Sequence, residues 1–123
     1  LSFPKESISN LILFDVWHHL QYPGNALNEF KRVLKPSGGL YISTVGPLHE
    51  IYNLSKSIGD HEHIIQNFGF RTGEKFFFFD NERYLNHYLS KFFENVETGQ
   101  VTEKLMTMDL DFLISYAVKP SNN

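Results

Sequence analysis

The sequence contains no cysteine, and its basic residues do not outnumber its acidic ones: 11 Lys and Arg stand against 14 Asp and Glu, a net charge of -3. A chain without thiols forms no disulfide, builds no thiolate metal site and has no cysteine nucleophile. A chain without a broad basic field also has little with which to bind nucleic-acid phosphates. We therefore expect a protein of a reducing compartment, the cytoplasm, with no metal site and no nucleic-acid partner.

Long apolar runs are absent as well. No run approaches the roughly 18 apolar residues of a membrane span, and the first residues, LSFPKES, lack the basic region and apolar core of a signal peptide. These absences predict no membrane association. The 41% hydrophobic and 15% aromatic content over 123 residues is enough to build one core. With no repeat or linker in the sequence, we expect one domain over residues 1–123.

The first third of the chain has the pattern of a strand, a helix and a second strand. Residues 10–16 (NLILFDV) form an almost wholly apolar run, typical of a strand buried on both faces. Residues 25–34 carry apolar side chains at helical spacing, and the helix should end at KPSGG, where proline cannot continue it and the glycines permit a reversal. Residues 40–45 (LYISTV) predict the second strand, parallel to the first.

The rest of the chain has a less regular pattern. Its apolar spacing predicts further helices and strands. The expected elements are one or two helices within residues 49–68, a strand at 76–79, a helix at 82–93, a strand at 95–101 and a final helix at 110–118.

Three strings in the first third carry a family resemblance: LSFP at residues 1–4, FDVWHHL at 14–20 and EFKRVLKPSGGLYIS at 29–43. In order and spacing they resemble the class I S-adenosylmethionine-dependent methyltransferases that act on small molecules, the type 11 group. Members of that group typically show an L-P-F segment, a D-V-L-H-H-L type string, an E-x-x-R-V-L-K-P-G-G helix end and an L-x-I-S strand. Weaker similarity continues in the strings FFFFDNE, LSKFFENVE and LMTMDLDFLISY.

The resemblance implies an α/β fold: a partial Rossmann-like methyltransferase sheet, made of the family's strands four to seven with flanking helices. The sequence lacks the family's N-terminal cofactor-binding strands and their D-x-G-x-G-x-G type loop. It also has Ile8-Ser9 at the position where members usually have Phe-Asp. The implied function is methyl transfer from S-adenosylmethionine to a small molecule, with this chain a truncated form that is inactive alone. The alternatives are a non-catalytic methyltransferase-like module and a partner-binding domain.

The same resemblance implies a cofactor-binding role for the end of the first strand. Phe14, Asp15 and Val16 would line the methyl-transfer cleft and contact S-adenosylmethionine. For Asp15 a second reading, a carboxylate that caps a loop, stays open.

The residues that follow are the candidates for the catalytic and substrate-binding roles. His18 is the candidate catalytic residue, because a histidine titrates near neutral pH and can act as a general base. Trp17 and His19 are the candidate substrate-binding residues. Trp17 could instead be wedged against the neighbouring helix, and His19 could pack at the start of the next loop.

Two further patterns allow more than one interpretation. The triplet His61-Glu62-His63 has metal-ligating side chains, but adjacent spacing suits a helix face poorly and favours a solvated surface patch. The four phenylalanines at residues 76–79 could form a pocket for a lipid or an aromatic ligand, but a β-prone run of this kind is more often core.

The absent first strand of the family's sheet has a physical consequence. It would leave one edge of the strand at residues 10–16 without a neighbour, and an apolar edge of this kind favours strand pairing between molecules. We therefore expect that the chain alone is unstable, self-associates through this strand, or forms part of a longer protein.

Overall fold

The computed structural model describes residues 3–14 and 23–121. The strands are β1 (Ile8–Phe14), β2 (Leu34–Val45), β3 (Ser55–Gly59), β4 (Glu62–Ile65), β5 (Lys75–Phe77), β6 (Glu94–Leu105) and β7 (Met108–Val118). The helices are α1 (Pro23–Val33), α2 (Glu50–Asn53) and α3 (Glu82–Leu89), and a 3-10 turn covers Gly69–Arg71.

Four strands form the main sheet in the order β1-β2-β7-β6. β1 and β2 are parallel, with Leu11 opposite Leu40, whereas β7 is antiparallel to both of its neighbours. Because α1 connects β1 to β2, the predicted parallel strand-helix-strand unit is confirmed. The sheet with its flanking helices also confirms the predicted fold class, a partial Rossmann-like α/β fold.

The main core lies on one face of this sheet, where α1 and α3 pack. An apolar stripe on α1, with Leu27 and Phe30, meets Leu85 and Leu89 of α3 over the sheet. Alternation along β2 directs every second side chain to this face. The sheet residues buried there are Leu40, Ile42, Leu113 and Ala117.

The opposite face of the sheet is apolar but largely exposed. Register places Ile12 beside Tyr41, and Phe14 beside Ser43, which pairs in turn with Ile114. Since alternate residues point to opposite faces, these side chains share the face away from α1 and α3. We call the following five residues, each at least 39% exposed, the open face: Ile12, Phe14, Tyr41, Val101 and Ile114.

The segment after β2 folds differently from the sequence prediction. Helices were expected over residues 49–68, but only the four-residue α2 forms, and the rest is the antiparallel hairpin β3-β4 with β5 added. His61 has φ 59° in the tight turn between the strands, and the β-branched pair Ile64-Ile65 suits a strand. The strand predicted at 76–79 forms only in its first half, because β5 ends at Phe77. The interpretation of this phenylalanine run as core is confirmed, since Phe76, Phe78 and Phe79 are buried.

The last element also differs from the prediction. A helix was predicted over residues 110–118, but β7 occupies this region and pairs with both β2 and β6. Burial alternates along it, with Asp111, Leu113, Ser115 and Ala117 buried and Ile114 exposed. That two-residue period belongs to a strand, and the small buried side chains at 115 and 117 leave room for α3.

The first part of β2, which follows α1 directly, uses its glycines for close packing. In this part of β2, Ser37 has a positive φ, 64°, and neither Gly38 nor Gly39 does. A Cβ on Gly38 would lie 2.9 Å from the Ser9 carbonyl oxygen of β1, and a Cβ on Gly39 would lie 2.8 Å from the Asn10 Oδ1 atom. The glycines are therefore required by the close approach of β1, and the expectation that they supply the reversal is wrong.

In the part of the chain that the structure describes, no helix is both long enough and apolar enough to cross a membrane.

Candidate functional site

The carboxyl ends of β1 and β2 border an apolar hollow of about 290 Å³. It is lined by Phe14, Ser43, Val101, Phe112 and Ile114, so it lies on the open face at the end of two parallel strands. Ligands of open α/β sheets bind in crevices outside the carboxyl ends of strands. The hollow is therefore a position at which a flat apolar group can pack.

The candidate cofactor and catalytic residues fall mostly outside the described part of the chain. Phe14 is placed at the rim of the apolar hollow with 66% of its surface exposed, which is compatible with its predicted contact to a cofactor. Asp15, Val16, Trp17, His18 and His19 lie outside the described residues, so their roles stay predictions.

The apolar hollow fits only part of S-adenosylmethionine. Its described lining offers aromatic and aliphatic surface but no charged group for the cofactor's carboxylate, ammonium or sulfonium. The buried Ser43 is the hydroxyl among these five residues. The described residues could thus supply one apolar wall for an adenine, and S-adenosylmethionine would need other residues for its remaining groups.

A second, polar cleft lies where the β3-β4 hairpin meets the start of α3. It has a volume of about 570 Å³. We use the name polar cleft for the space lined by Tyr52, Ser57, Gly59, Asp60, His61, His63, Asp80 and Tyr84. These residues come from α2, the hairpin and the N-terminal end of α3, so three separate segments of the chain meet here.

Hydrogen bonds fix the state of the buried His63 ring in this cleft. The Ser55 hydroxyl donates to the Tyr52 carbonyl oxygen at 2.6 Å, and its Oγ lies 2.9 Å from His63 Nδ1. Because the single hydroxyl hydrogen is used on the carbonyl, Nδ1 must carry a hydrogen and donate to Oγ. The other ring nitrogen, Nε2, then has a free lone pair when the ring is neutral.

Burial favours the neutral form of this ring. Desolvation lowers the pKa of His63 below 6.5, an effect that the nearby Asp80 charge opposes and that His61 reinforces. The Tyr52 ring lies beside the imidazole with centroids 5.0 Å apart, and Phe78 contacts it edge-on. At neutral pH, His63 is therefore an uncharged hydrogen-bond acceptor through Nε2.

Tyr52 also holds one of the two carboxylates of the cleft. Its hydroxyl donates to Asp80 Oδ1 at 2.7 Å. Burial, together with this bond to a carboxylate, raises the pKa of Tyr52 to about 12. Tyr52 therefore stays protonated at neutral pH and orients Asp80, whose Oδ2 accepts no hydrogen bond from any described residue.

The triplet at residues 61–63 is divided by the hairpin turn. His63 is buried, with 8% of its surface exposed, so the expectation of a solvated patch is wrong for this residue. Glu62 pairs with Lys75 across the strands, with 3.5 Å between Oε1 and Nζ. Within residues 3–14 and 23–121, no group of three or more His, Asp or Glu side chains is arranged to hold a metal ion.

The polar cleft was not among the sites predicted from the sequence. Tyr52, His63 and Asp80 are far apart in the sequence and share no motif spacing. The one available signal was the alternation in EHII, which places His63 and Ile65 on the buried side of a strand.

Comparison with known proteins supports the fold assignment. A family model described as a methyltransferase domain matches residues 1–42. No curated protein sequence matches the chain. Solved structures match over nearly the whole chain.

A Methanosarcina mazei S-adenosylmethionine-dependent methyltransferase has a TM-score of 0.72 at 17% identity, over 99% of this chain and 64% of its own. A Thermotoga maritima S-adenosylmethionine-dependent methyltransferase has a TM-score of 0.66 at 18% identity, and the match covers 97% of this chain and 59% of that protein. A third structure is Haemonchus contortus phosphoethanolamine N-methyltransferase 2, solved with phosphomonomethylethanolamine and S-adenosylhomocysteine. Its TM-score is 0.63 at 14% identity, and the match covers 98% of this chain and 35% of that protein.

The chain therefore has a class I S-adenosylmethionine-dependent methyltransferase-like fold. It corresponds to part of that fold, because it spans 64% of the first of these structures and less of the other two. At these identities the structural likeness establishes the fold and leaves activity and substrate to be argued separately.

Proposed function

We propose that the chain is the C-terminal part of a cytoplasmic methyltransferase domain that transfers a methyl group from S-adenosylmethionine to a small molecule. The observation that carries the proposal is the sheet order β1-β2-β7-β6 with β7 antiparallel. Together with the family match over residues 1–42, it supports a methyltransferase role over other uses of an α/β sheet.

The proposal assigns a limited cofactor role to the described residues. S-adenosylmethionine supplies an electrophilic methyl group when it is bound. Phe14 and the apolar hollow would contact its adenine, and the residues predicted to continue this wall are Asp15 and Val16. The direct displacement implied by the resemblance needs alignment of the acceptor more than strong acid-base help. Trp17, His18 and His19 stay candidates for contacts to the acceptor.

The test compares the 123-residue chain with the full product of its natural reading frame. Isothermal titration with S-adenosylmethionine should give a dissociation constant in the micromolar range, roughly -8 kcal/mol, for the full product. Phe14→Ala in the full product should weaken binding, whereas Phe70→Ala, a change at an exposed phenylalanine far along the chain, should leave it unchanged. A full product that does not bind S-adenosylmethionine overturns the proposal.

A second candidate function is a non-catalytic module that binds another copy of the chain through β1. The observation that favours it is the exposure of Ile12 and Phe14, 58% and 66%, on the edge strand of the described sheet. Exposed apolar edge strands pair readily with other chains.

The test of self-association is light scattering of the 123-residue chain and two variants. Ile12→Lys places a charge on the open face and should shift a dimer to monomer. Ile58→Lys, at a β3 residue that is 50% exposed, is the matched control and should not. A wild-type chain that is strictly monomeric excludes self-association.

A further inference from the structure

We propose that the polar cleft is a binding site for an organic ammonium ion: a small amine that carries a positive charge, has N–H donors and has an apolar portion. The proposal depends on the composition of the cleft, on the hydrogen-bonding state of His63 and on the two tyrosine rings. It goes beyond the proposed function, because binding of such a ligand requires no S-adenosylmethionine.

The charge of the cleft is negative. Its lining includes Asp60 and Asp80 but no lysine or arginine. Neither carboxylate takes part in an ion pair with any described residue. Both carboxylates are exposed to solvent, and two carboxylates without a cation favour a positively charged ligand over a neutral or an anionic one.

The second observation is an unused acceptor on a buried side chain. His63 is more than nine-tenths buried, and Nδ1 is bound to Ser55. No described residue donates to Nε2. Among the described residues, the side-chain polar atom that has neither accessible surface nor a hydrogen-bond partner is Thr44 Oγ1. Because His63 Nε2 also has no partner but is not such an atom, it must retain some accessible surface. His63 is one of the residues that line the cleft, and we infer that its Nε2 faces a donor bound there.

The aromatic rings give the ligand its apolar contacts. Tyr52 and Tyr84 belong to the lining, and the His61 ring lies against Tyr84 with centroids 6.0 Å apart. Ring faces attract organic cations as well as apolar groups. The donor to Nε2, the charge near Asp80 and these rings together match an ammonium group attached to a hydrocarbon.

The experiment titrates the 123-residue chain with three probes, followed by NMR of its histidine ring signals. 2-Phenylethylammonium has the charge, the N–H donors and an apolar ring. 2-Phenylethanol has the same shape without the charge. Tetramethylammonium has the charge without N–H donors. We expect a dissociation constant on the order of 1 mM for 2-phenylethylammonium and binding about tenfold weaker for the alcohol.

Two variants separate the contributions of charge and acceptor. Asp80→Asn should weaken both cations about tenfold. In His63→Asn the amide can still donate to Ser55 but has no atom at the Nε2 position. This variant should weaken the binding of 2-phenylethylammonium about tenfold. The binding of tetramethylammonium should change by no more than about twofold, and this retained binding would show that the cleft is still folded.

The matched controls are Asp109→Asn and His87→Asn, which change a half-buried and an exposed residue outside the polar cleft and should alter neither cation. The proposal is overturned if the alcohol binds as tightly as the amine, if Asp80→Asn has no effect on either cation, or if the histidine signals do not respond to any probe. Because no cofactor is present, these outcomes are independent of whether the full product binds S-adenosylmethionine.

Discussion

Asp111 shows how a single buried polar residue joins distant parts of the sheet. Its carboxylate is fully buried and accepts hydrogen bonds from Leu48 N, Gln100 Nε2 and Thr102 Oγ1 at 2.7 to 3.0 Å. A Cβ on Gly46 would collide with this carboxylate. Asp111 therefore fixes the turn that leads from β2 into α2, and with it one side of the polar cleft.

Replacing this carboxylate by an amide should destabilise the chain. In Asp111→Asn one acceptor oxygen becomes a donor that faces other donors, and we expect a loss of about 1.5 to 3 kcal/mol in the free energy of unfolding. Urea denaturation measures it. Asp109→Asn, which removes an exposed ion pair with Lys104, should cost less than about 1 kcal/mol. Equal losses in the two variants would contradict the structural role of Asp111.

The ion pair on α1 predicts a specific dependence of stability on pH. The hydrogen bonds from Arg32 lower the pKa of Glu29 from 4.5 to about 2. Because the folded state holds the charged form more tightly, this stabilisation is present above pH 4.5 and is lost as the pH falls towards 2. Arg32 also donates to the Phe3 carbonyl oxygen at 2.9 Å, so the pair fastens the N-terminal segment to α1.

Thermal unfolding of wild type and Glu29→Gln across this pH range checks the prediction. The stability difference between them should be largest above pH 4.5 and should shrink towards pH 2. Glu103→Gln, at an exposed residue of β6, is the control and should give a small difference that does not change with pH. A difference for Glu29→Gln that is constant with pH would contradict the assignment.

At the scale of elements, the sequence predicts those parts of the fold whose pattern has one explanation. The β1-α1-β2 unit follows from an apolar run and a helical stripe, and the order of its elements and their parallel pairing are confirmed. The expectation that the first strand is buried on both faces is wrong, because Ile12 and Phe14 are exposed, and β2 begins at Leu34 instead of residue 40. β7 was missed because Phe112, Leu113 and Tyr116 also fit a helical spacing. Its pairing with β2 and β6 decides the conformation, and such long-range contacts are not visible in a local pattern.

The candidate site was predictable to a smaller extent. Phe14 was a candidate because it belongs to a motif of consecutive residues, as do the candidates at 15–19, and its role stays a prediction. The polar cleft was not, because its residues come from three segments and the hairpin that carries His63 was predicted as helix. Where the chain was assigned the wrong element, the side chains that the element brings together could not be predicted.

The two faces of the main sheet should differ in their tolerance of substitution. Ile42 is 1% exposed under α1 and α3, and Ile12 is 58% exposed on the open face. Ile42→Ala should cost about 2 to 5 kcal/mol, because it leaves a cavity in the core. Ile12→Ala should cost under about 1 kcal/mol. Urea denaturation of both variants tests this, and similar costs would mean that the open face is covered in solution.

At the scale of the whole molecule, the fold and the open face are parts of one account. The chain corresponds to 64% or less of the methyltransferase structures described above, and the described lining of its apolar hollow has no charged group. Under the proposed function, the rest of the cofactor site belongs to residues outside the described part of the chain. The proposed function also predicts that contacts to the cofactor begin at Phe14.

The most direct test is isothermal titration of S-adenosylmethionine into the full product of the natural reading frame and into the 123-residue chain. The account predicts micromolar binding by the full product, roughly -8 kcal/mol, which Phe14→Ala weakens, and no binding by the 123-residue chain at the same concentrations. Equally tight binding by the short chain would contradict the view that its residues supply only one wall of the site. A full product that does not bind would contradict the methyltransferase assignment itself.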